Sequence, residues 1–257
     1  MSIFKFRVFK EYFLQTFRAW AEYPLNFGIS LFWPLFSLIV SYFFWSIVFN
    51  TGQVLNYNVE KMVLYYLFSL GLFYDFNFVS YLRRKIIDGS ITNILVRKTS
   101  LAEYLIYCCL SSFAIWMLVP IFIVLIVGLY YLGISAIFGL FIFFFGLILG
   151  CLVYSILIST SFWIGDNFSI IHILDEFVGL TSGSFLPLDL FPSIFYTISV
   201  NYLPFNLMFF TPAKVFLGDM AITWILIAKY ILWIVALYLV LRFMIKRGLR
   251  RYEQLGG

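Results

Sequence analysis

Residues 104–165 form a stretch of 62 positions without a single Asp, Glu, Lys or Arg. A helix needs about 20 apolar residues to cross the hydrocarbon core of a bilayer. A stretch of this length predicts two crossings joined by a turn. A second uncharged stretch lies between Glu22 and Glu60. The whole chain follows the same pattern, with 63% hydrophobic and 11% charged residues over 257 positions and a mean hydropathy of +1.00. Soluble domains are about 45–50% apolar and about 25% charged. A soluble enzyme, a disordered tail and a disulfide scaffold are excluded. The expected class is an all-α, polytopic membrane protein.

The hydropathy pattern predicts six spans, over 27–49, 62–81, 104–128, 135–163, 168–183 and 222–244. Gly128 to Gly133, with Tyr130 and Tyr131, is read as the turn between the third and fourth. The positive charge is sorted. Lys5, Arg7, Lys10 and Arg18 precede the first span, Arg83, Arg84, Lys85, Arg97 and Lys98 follow the second, and Arg242, Lys246, Arg247, Arg250 and Arg251 close the chain. These are 14 of the 17 basic residues. Flanks rich in Lys and Arg stay cytoplasmic. An even number of spans puts all three clusters on that side, predicting a multi-pass protein of the cell (plasma or inner) membrane with both termini cytoplasmic. Beside apolar spans such clusters read as topology signals and contacts to anionic lipid rather than to nucleic acid. Cys108, Cys109 and Cys151 all lie in apolar runs and read as small buried hydrophobes. No cleavable signal peptide is expected, because the first 22 residues hold no uninterrupted apolar region.

Two segments are expected to lie on the membrane. In residues 1–23, Phe6, Phe9, Phe13, Phe17 and Trp20 form one helical stripe, and Arg7, Glu11, Gln15, Arg18 and Glu22 form the opposite face. That is an interfacial amphipathic helix, ended by Pro24. Residues 184–218 hold Pro187, Pro192, Pro204 and Pro212, four of the seven prolines. Their apolar pieces are too short to span, so the segment reads as short helices re-entering from the outer face. A backbone broken in this way is tolerated only where protein or a water-lined cavity satisfies it. A loosely ordered loop is the alternative.

Ionisable residues inside spans are costly and therefore candidates for function. His172 and Asp175 share a helical face, with Glu176 beside them, about two turns into the fifth span. They suit a cationic or zwitterionic substrate at the inner mouth. They equally suit pairing across a dimer or with basic residues of the inner loop. Asp75 is placed to cap or to pair with Arg83 or Arg84, and Lys229 to snorkel outward. Gly179 to Gly183 resembles, without matching, the G-x-S-G of intramembrane serine proteases. The single histidine, His172, lies about 15 Å from Ser182 along the same helix, too far to activate it. Ser182, Gly183 and Ser184 read instead as close-packing positions, and no catalytic or metal site is expected. No G-x-x-x-x-G-K-[ST] run is present, so the chain has no phosphate-cradling loop of its own.

Three stretches taken together resemble one family. The inner loop from Ile86 through Asp88, Gly89, Ser90, Ile91, Ile94 and Leu95 to Ser100 is similar to the "I-x-x-G-x-[IL]-x-x-x-L-x-[KR]-P-[ILV]-S" segment of ABC-2 type permeases. Here Lys98-Thr99 stands where the family has a proline. Gly183 to Pro192 resembles "G-x-x-[FL]-P-[LI]-x-x-[FL]-P", and Leu203-Pro204-Phe205 through Pro212 to Gly218 resembles its continuation. The ending Arg247 to Gly257 is similar to the subfamily with viologen- and antibiotic-exporter-like members. The resemblance implies six-helix permeases that pair as homo- or heterodimers and couple to two copies of a cytoplasmic ABC ATPase. ATP and Mg2+ would bind in that partner, and no cofactor in this chain.

In the loop 82–100, Asp88-Gly89-Ser90 is read as a turn and helix cap before one or two helical turns. Ile91, Ile94 and Leu95 form an apolar face there. By resemblance this is the coupling helix that docks on the ATPase; a solvated loop whose charge sets topology is the alternative. Gly183, Pro187, Pro192, Pro204 and Pro212 mark an outer re-entrant gate. The expected function is export of an amphipathic, lipidic or drug-like substrate. A secondary transporter or channel without an ATPase is the alternative.

Overall fold

The computed structural model describes residues 24–52, 57–71, 83–89, 101–165 and 167–254, with single positions at 10, 14, 18 and 92. The predicted interfacial helix lies outside these residues, apart from Lys10, Leu14 and Arg18, which are helical and exposed. Among the described residues every regular element is helical. In chain order they are α1 (Pro24–Thr51), α2 (Val59–Gly71), α3 (Leu101–Leu132), α4 (Ser135–Ser159), α5 (Ser161–Ile164), α6 (Phe168–Ser182), the 3-10 turn Leu188–Leu190, α7 (Ser193–Asn201), the 3-10 turn Phe205–Leu207, α8 (Phe210–Phe216) and α9 (Trp224–Gln254).

Among the described residues, two stretches are long and apolar enough to cross a membrane, Ser135–Ile164 and Trp224–Arg251. They occupy different environments. The apolar window of the first is 67% buried and that of the second 11%. The first is therefore the hub of the molecule: α4 packs against α3, α8 and α9, while α2 packs against α1 and α3.

The turn between α3 and α4 is shorter than expected. Gly128 lies inside α3, and the reversal is confined to Gly133, with φ of +64°, and Ile134. Glycine in a helix costs about 1 kcal/mol relative to alanine. At Gly128 the reason for it is packing, since a Cβ there would lie 2.7 Å from the Phe216 ring. Cys151 is buried as expected, but it is disulfide-bonded rather than a free thiol.

The later part of the proline-rich segment is packed inside the helices, while α7 is mostly exposed. Leu207, Met208, Phe209, Phe210, Ala213, Val215 and Phe216 are all buried. α4 makes room for them with two glycines seven residues apart, on one face of the helix. A Cβ on Gly139 would lie 2.4 Å from the Phe216 Cα, and one on Gly146 would lie 2.9 Å from the Leu207 and Met208 carbonyl oxygens. Gly146 is about 16 Å along α4 from Ser135 at 1.5 Å per residue. The Phe216 ring then packs on Phe68 of α2, with centroids 4.8 Å apart. The loosely ordered alternative does not describe this segment.

The prolines set where its short helices begin. Pro187, Pro192 and Pro204 each occupy the residue before a helical turn. Their carbonyls accept the first bonds of those turns, from the amides of Leu190, Tyr196 and Leu207. Pro212 is the third residue of α8, where a missing amide proton costs no helical bond.

Replacing Gly139 with alanine drives a methyl group into the Phe216 backbone. It is expected to destabilise the fold by about 1–3 kcal/mol. Gly52→Ala, with nothing within 4 Å of the added carbon, is expected to stay within about 0.5 kcal/mol. Thermal denaturation in detergent, followed by size-exclusion fluorescence, compares the two. Equal midpoints would show that the segment does not rest on α4.

Candidate functional site

α6 ends at Ser182, and Gly183 terminates it in the left-handed conformation with φ of +81°. The chain then reverses, and the carbonyls at the reversal need partners. α2 supplies them. The Tyr65 hydroxyl donates to the Gly183 carbonyl, Ser69 Oγ to that of Ser184 at 2.8 Å and the Tyr66 hydroxyl to that of Phe185 at 2.7 Å. Further along, the Tyr230 hydroxyl of α9 donates to the Leu207 carbonyl at 2.7 Å. Lys229 Nζ donates to the Val200 carbonyl in the last turn of α7. Lys229 is expected to snorkel, and its ammonium finds this carbonyl of the proline-rich segment. Its ammonium caps a helix C-terminus, where the peptide dipoles favour a cation.

The predicted intramembrane cluster divides. Asp175 and Glu176 both line a cavity of about 100 Å3, together with Tyr154, Ser182, Ser184 and Phe185. The Tyr154 hydroxyl donates to the Asp175 carboxylate. His172 does not line this cavity. It is exposed, with its ring edge-on to Phe168 at 4.3 Å. Phe168 in turn lies under the buried Arg83 guanidinium, 4.9 Å from its centroid. Arg83 thus ties the start of the inner loop to the start of α6. Ser182 Oγ donates to the Gly179 carbonyl at 3.0 Å, a backbone contact within α6.

Of the predicted coupling residues, Asp88 and Gly89 are described. They form a turn after the helical residues 83–87, with the Asp88 amide bonded to the Arg84 carbonyl at 2.8 Å and Gly89 at φ of +75°. Ser90, Ile91, Ile94 and Leu95 lie outside the described residues, as does Asp75. Among the described residues no group of three or more His, Cys, Asp or Glu side chains comes together to hold a metal.

One constellation was not anticipated from the sequence. Tyr57 and Lys61, at the start of α2, face Asp189, Lys214 and Asp219. The Tyr57 hydroxyl donates to Asp189 Oδ1 at 2.8 Å, and Lys214 Nζ lies 2.7 Å from Asp189 Oδ2 and 3.5 Å from Asp219 Oδ2. Lys61 Nζ closes the ring on Asp219 Oδ1 at 2.8 Å. The Lys214 ammonium also sits over the Tyr57 ring, 4.5 Å from its centroid. Burial, and then the Asp189 charge, push the Tyr57 pKa well above its ordinary value, so Tyr57 remains a neutral donor. The signal was present in the sequence. Lys61 and Lys214 are two of the three basic residues outside the inner clusters, and Asp189 and Asp219 are the acids of the same outer region.

Lys214 is the centre of this ring and is largely covered, whereas the Lys61 side chain is 36% exposed. Lys214→Met is expected to cost about 1.5–3 kcal/mol, because two carboxylates lose a charged partner. Lys61→Ala is expected to cost no more than about 1 kcal/mol. Thermal midpoints of the two variants decide the point, and equal losses would contradict a network centred on Lys214.

A comparison with curated proteins gives no match. A family profile described as ABC-2 family transporter protein matches residues 35–256. That match takes in α2, the reversal at Gly183, the packed outer segment and α9. The family implies a membrane protein that serves as the permease subunit of an ABC transporter system with an ATPase partner. The subfamily suggested by the C-terminal sequence is not distinguished by this match. The chain belongs to the ABC-2 family of transporter proteins.

Proposed function

We propose that this permease exports an amphipathic, lipidic or drug-like compound from the cytoplasm, driven by ATP hydrolysis in two copies of a separate ABC ATPase subunit. The chain itself carries out no hydrolysis; ATP and Mg2+ belong to the partner. Two permease subunits, identical or related, line the path between them. Each has six spans with both termini cytoplasmic, the N-terminal helix on the inner surface and the 184–218 segment entering the membrane from outside.

The observation that carries this reading is the seating of the outer segment. Leu207 and Met208 contact Gly146, about 16 Å along a helix long enough to span. The Leu207 carbonyl is satisfied by Tyr230 of α9, and the Ser184 and Phe185 carbonyls at the start of the segment by Ser69 and Tyr66 of α2. Irregular backbone can sit at such a depth only when protein satisfies it. α6, at 15 residues or about 22 Å, is too short to cross alone. A short helix followed by a re-entrant cap gives a path that closes on its outer side. Gly183, Pro187, Pro192, Pro204 and Pro212 then act as the breakpoints of that gate. On the inner side, the loop 82–100 docks on the ATPase through Ile91, Ile94 and Leu95, after the Asp88-Gly89-Ser90 turn. ATP binding draws two such loops together and opens the path.

Ile94→Asp is expected to abolish substrate-stimulated ATP hydrolysis in proteoliposomes holding permease and ATPase, while membrane insertion stays intact. Unchanged stimulation would remove the loop from the coupling role. Failure of the wild-type chain to recruit any ATPase would favour a secondary transporter or channel.

A further inference from the structure

Two cavities meet at one aromatic ring. The first is the cavity of about 100 Å3 that holds Asp175 and Glu176. The second, about 320 Å3 and more open, runs along α1 and α2 and is lined by Phe36, Ser37, Val40, Ser41 and Tyr66. Phe185 and Ser184 line both. The Phe185 ring lies on α6 where Gly179 leaves space, since a Cβ there would be 2.7 Å from the ring. Its backbone is held by Tyr66 at 2.7 Å, yet 45% of the residue is exposed. The ring therefore rests on α6 on one side and is open on the other, while its backbone is tied to α2.

The two cavities differ in chemistry. In the first, Asp175 receives the Tyr154 hydroxyl, and neither Asp175 nor Glu176 forms an ion pair with a described residue. The half-buried Asp175 carboxylate, without a basic partner, favours a cation, and the exposed Glu176 adds a second carboxylate at the rim. Phe185 and Phe209 add ring faces that attract an alkylammonium group. A volume of about 100 Å3 suits a head group and not a long chain. The second cavity has aliphatic and aromatic walls with three serines and no charge, which suits a single tail. We infer that the two form one bipartite site for a single-tailed organic cation. The ammonium head sits beside Asp175 and Glu176, the tail lies along α1 and α2, and Phe185 is the specificity-determining partition between them. The inference rests on the transport reading above and gives its substrate class.

The test is equilibrium binding to the full chain in phosphatidylcholine nanodiscs, with empty nanodiscs subtracted for partitioning into lipid. The probes are dodecyltrimethylammonium, tetramethylammonium, dodecyl sulfate and tetraphenylphosphonium. Saturable binding of dodecyltrimethylammonium is expected, roughly tenfold or more tighter than tetramethylammonium, with no saturable binding of dodecyl sulfate. Asp175→Asn and Glu176→Gln should each weaken the dodecyl cation by roughly tenfold. Phe185→Ala, which joins the cavities, should shift preference toward the bulky tetraphenylphosphonium, and Phe185→Leu should shift it less. Variants are compared only where size-exclusion profiles match the wild type; the exposed Glu176 and the Phe185→Leu change supply arms that spare the buried packing. Equal binding of dodecyl sulfate, unchanged affinity in both carboxylate variants or an unchanged preference in both Phe185 variants would each overturn the inference. The assay contains no ATPase. Loss of cation selectivity therefore counts against this inference alone, and failure to recruit an ATPase counts against the transport reading alone.

Discussion

The chain leaves α6 at Gly183 and must do so without stranding carbonyl groups. Each unsatisfied polar group among apolar surroundings costs several kcal/mol. The side chains of Tyr65, Tyr66 and Ser69 answer this at three successive carbonyls, 183, 184 and 185. Tyr65 and Ser69 are one helical turn apart, so one face of α2 is committed to the task. The remainder of the outer segment follows from that anchorage. Once the reversal is held, residues 207–216 can be laid along α4. Gly139 and Gly146 allow backbone to meet helix there without intervening side chains. The same solution recurs at Tyr230 and Lys229, which satisfy carbonyls of Leu207 and Val200.

Charge is distributed by the same economy. At the start of α2, two lysines and two aspartates gather beside Tyr57 and leave no net charge. At the inner end of α6, Arg83 is buried against the Phe168 ring. Between these levels, Asp175 and Glu176 carry negative charge with only a tyrosine hydroxyl as a described partner. Stability alone does not call for the half-buried Asp175, since an apolar side chain of similar size would avoid its desolvation cost. Places where local rules are broken without an evident structural return are where function is sought.

Much of the architecture was legible because it depends on one variable, the spacing of charge along the chain. The long uncharged stretch announces α3 and α4, and Pro187, Pro192 and Pro204 announce the short helical turns that follow them. What was not legible depended on contacts between distant residues. Gly128 reads as a turn residue by local propensity, but the Phe216 ring, 88 positions away, explains it. Lys229 reads as a snorkelling lysine, but the C-terminus of α7 that receives it is not in the local sequence. The Tyr57 ring joins residues separated by more than 130 positions, and no periodicity carries such information. His172 and Asp175 share a helical face by spacing, yet only Asp175 has Tyr154 beside it. Tyrosine in an apolar run gives no hint of its partner until the helices are packed.

These contacts also constrain how the molecule can move. α2 carries Lys61 of that charged group near its start and the three reversal donors further along. Hydrogen bonds weaken steeply when their geometry is lost. A shift of α2 along its axis must therefore either take the reversal with it or break three bonds to buried carbonyls, which is the costlier course. The outer segment is thus bound to follow α2 rather than to open by itself. Gly139 and Gly146 let the segment lie directly on α4, while Phe143 between them packs on Phe209 and on Phe68 of α2. Phe185 sits at the junction of the two bodies, fixed by its carbonyl to α2 and resting by its ring on Gly179 of α6. Relative motion of α2 and α6 has to change the space on either side of that ring, so the partition between the two cavities is coupled to the one movement this packing allows.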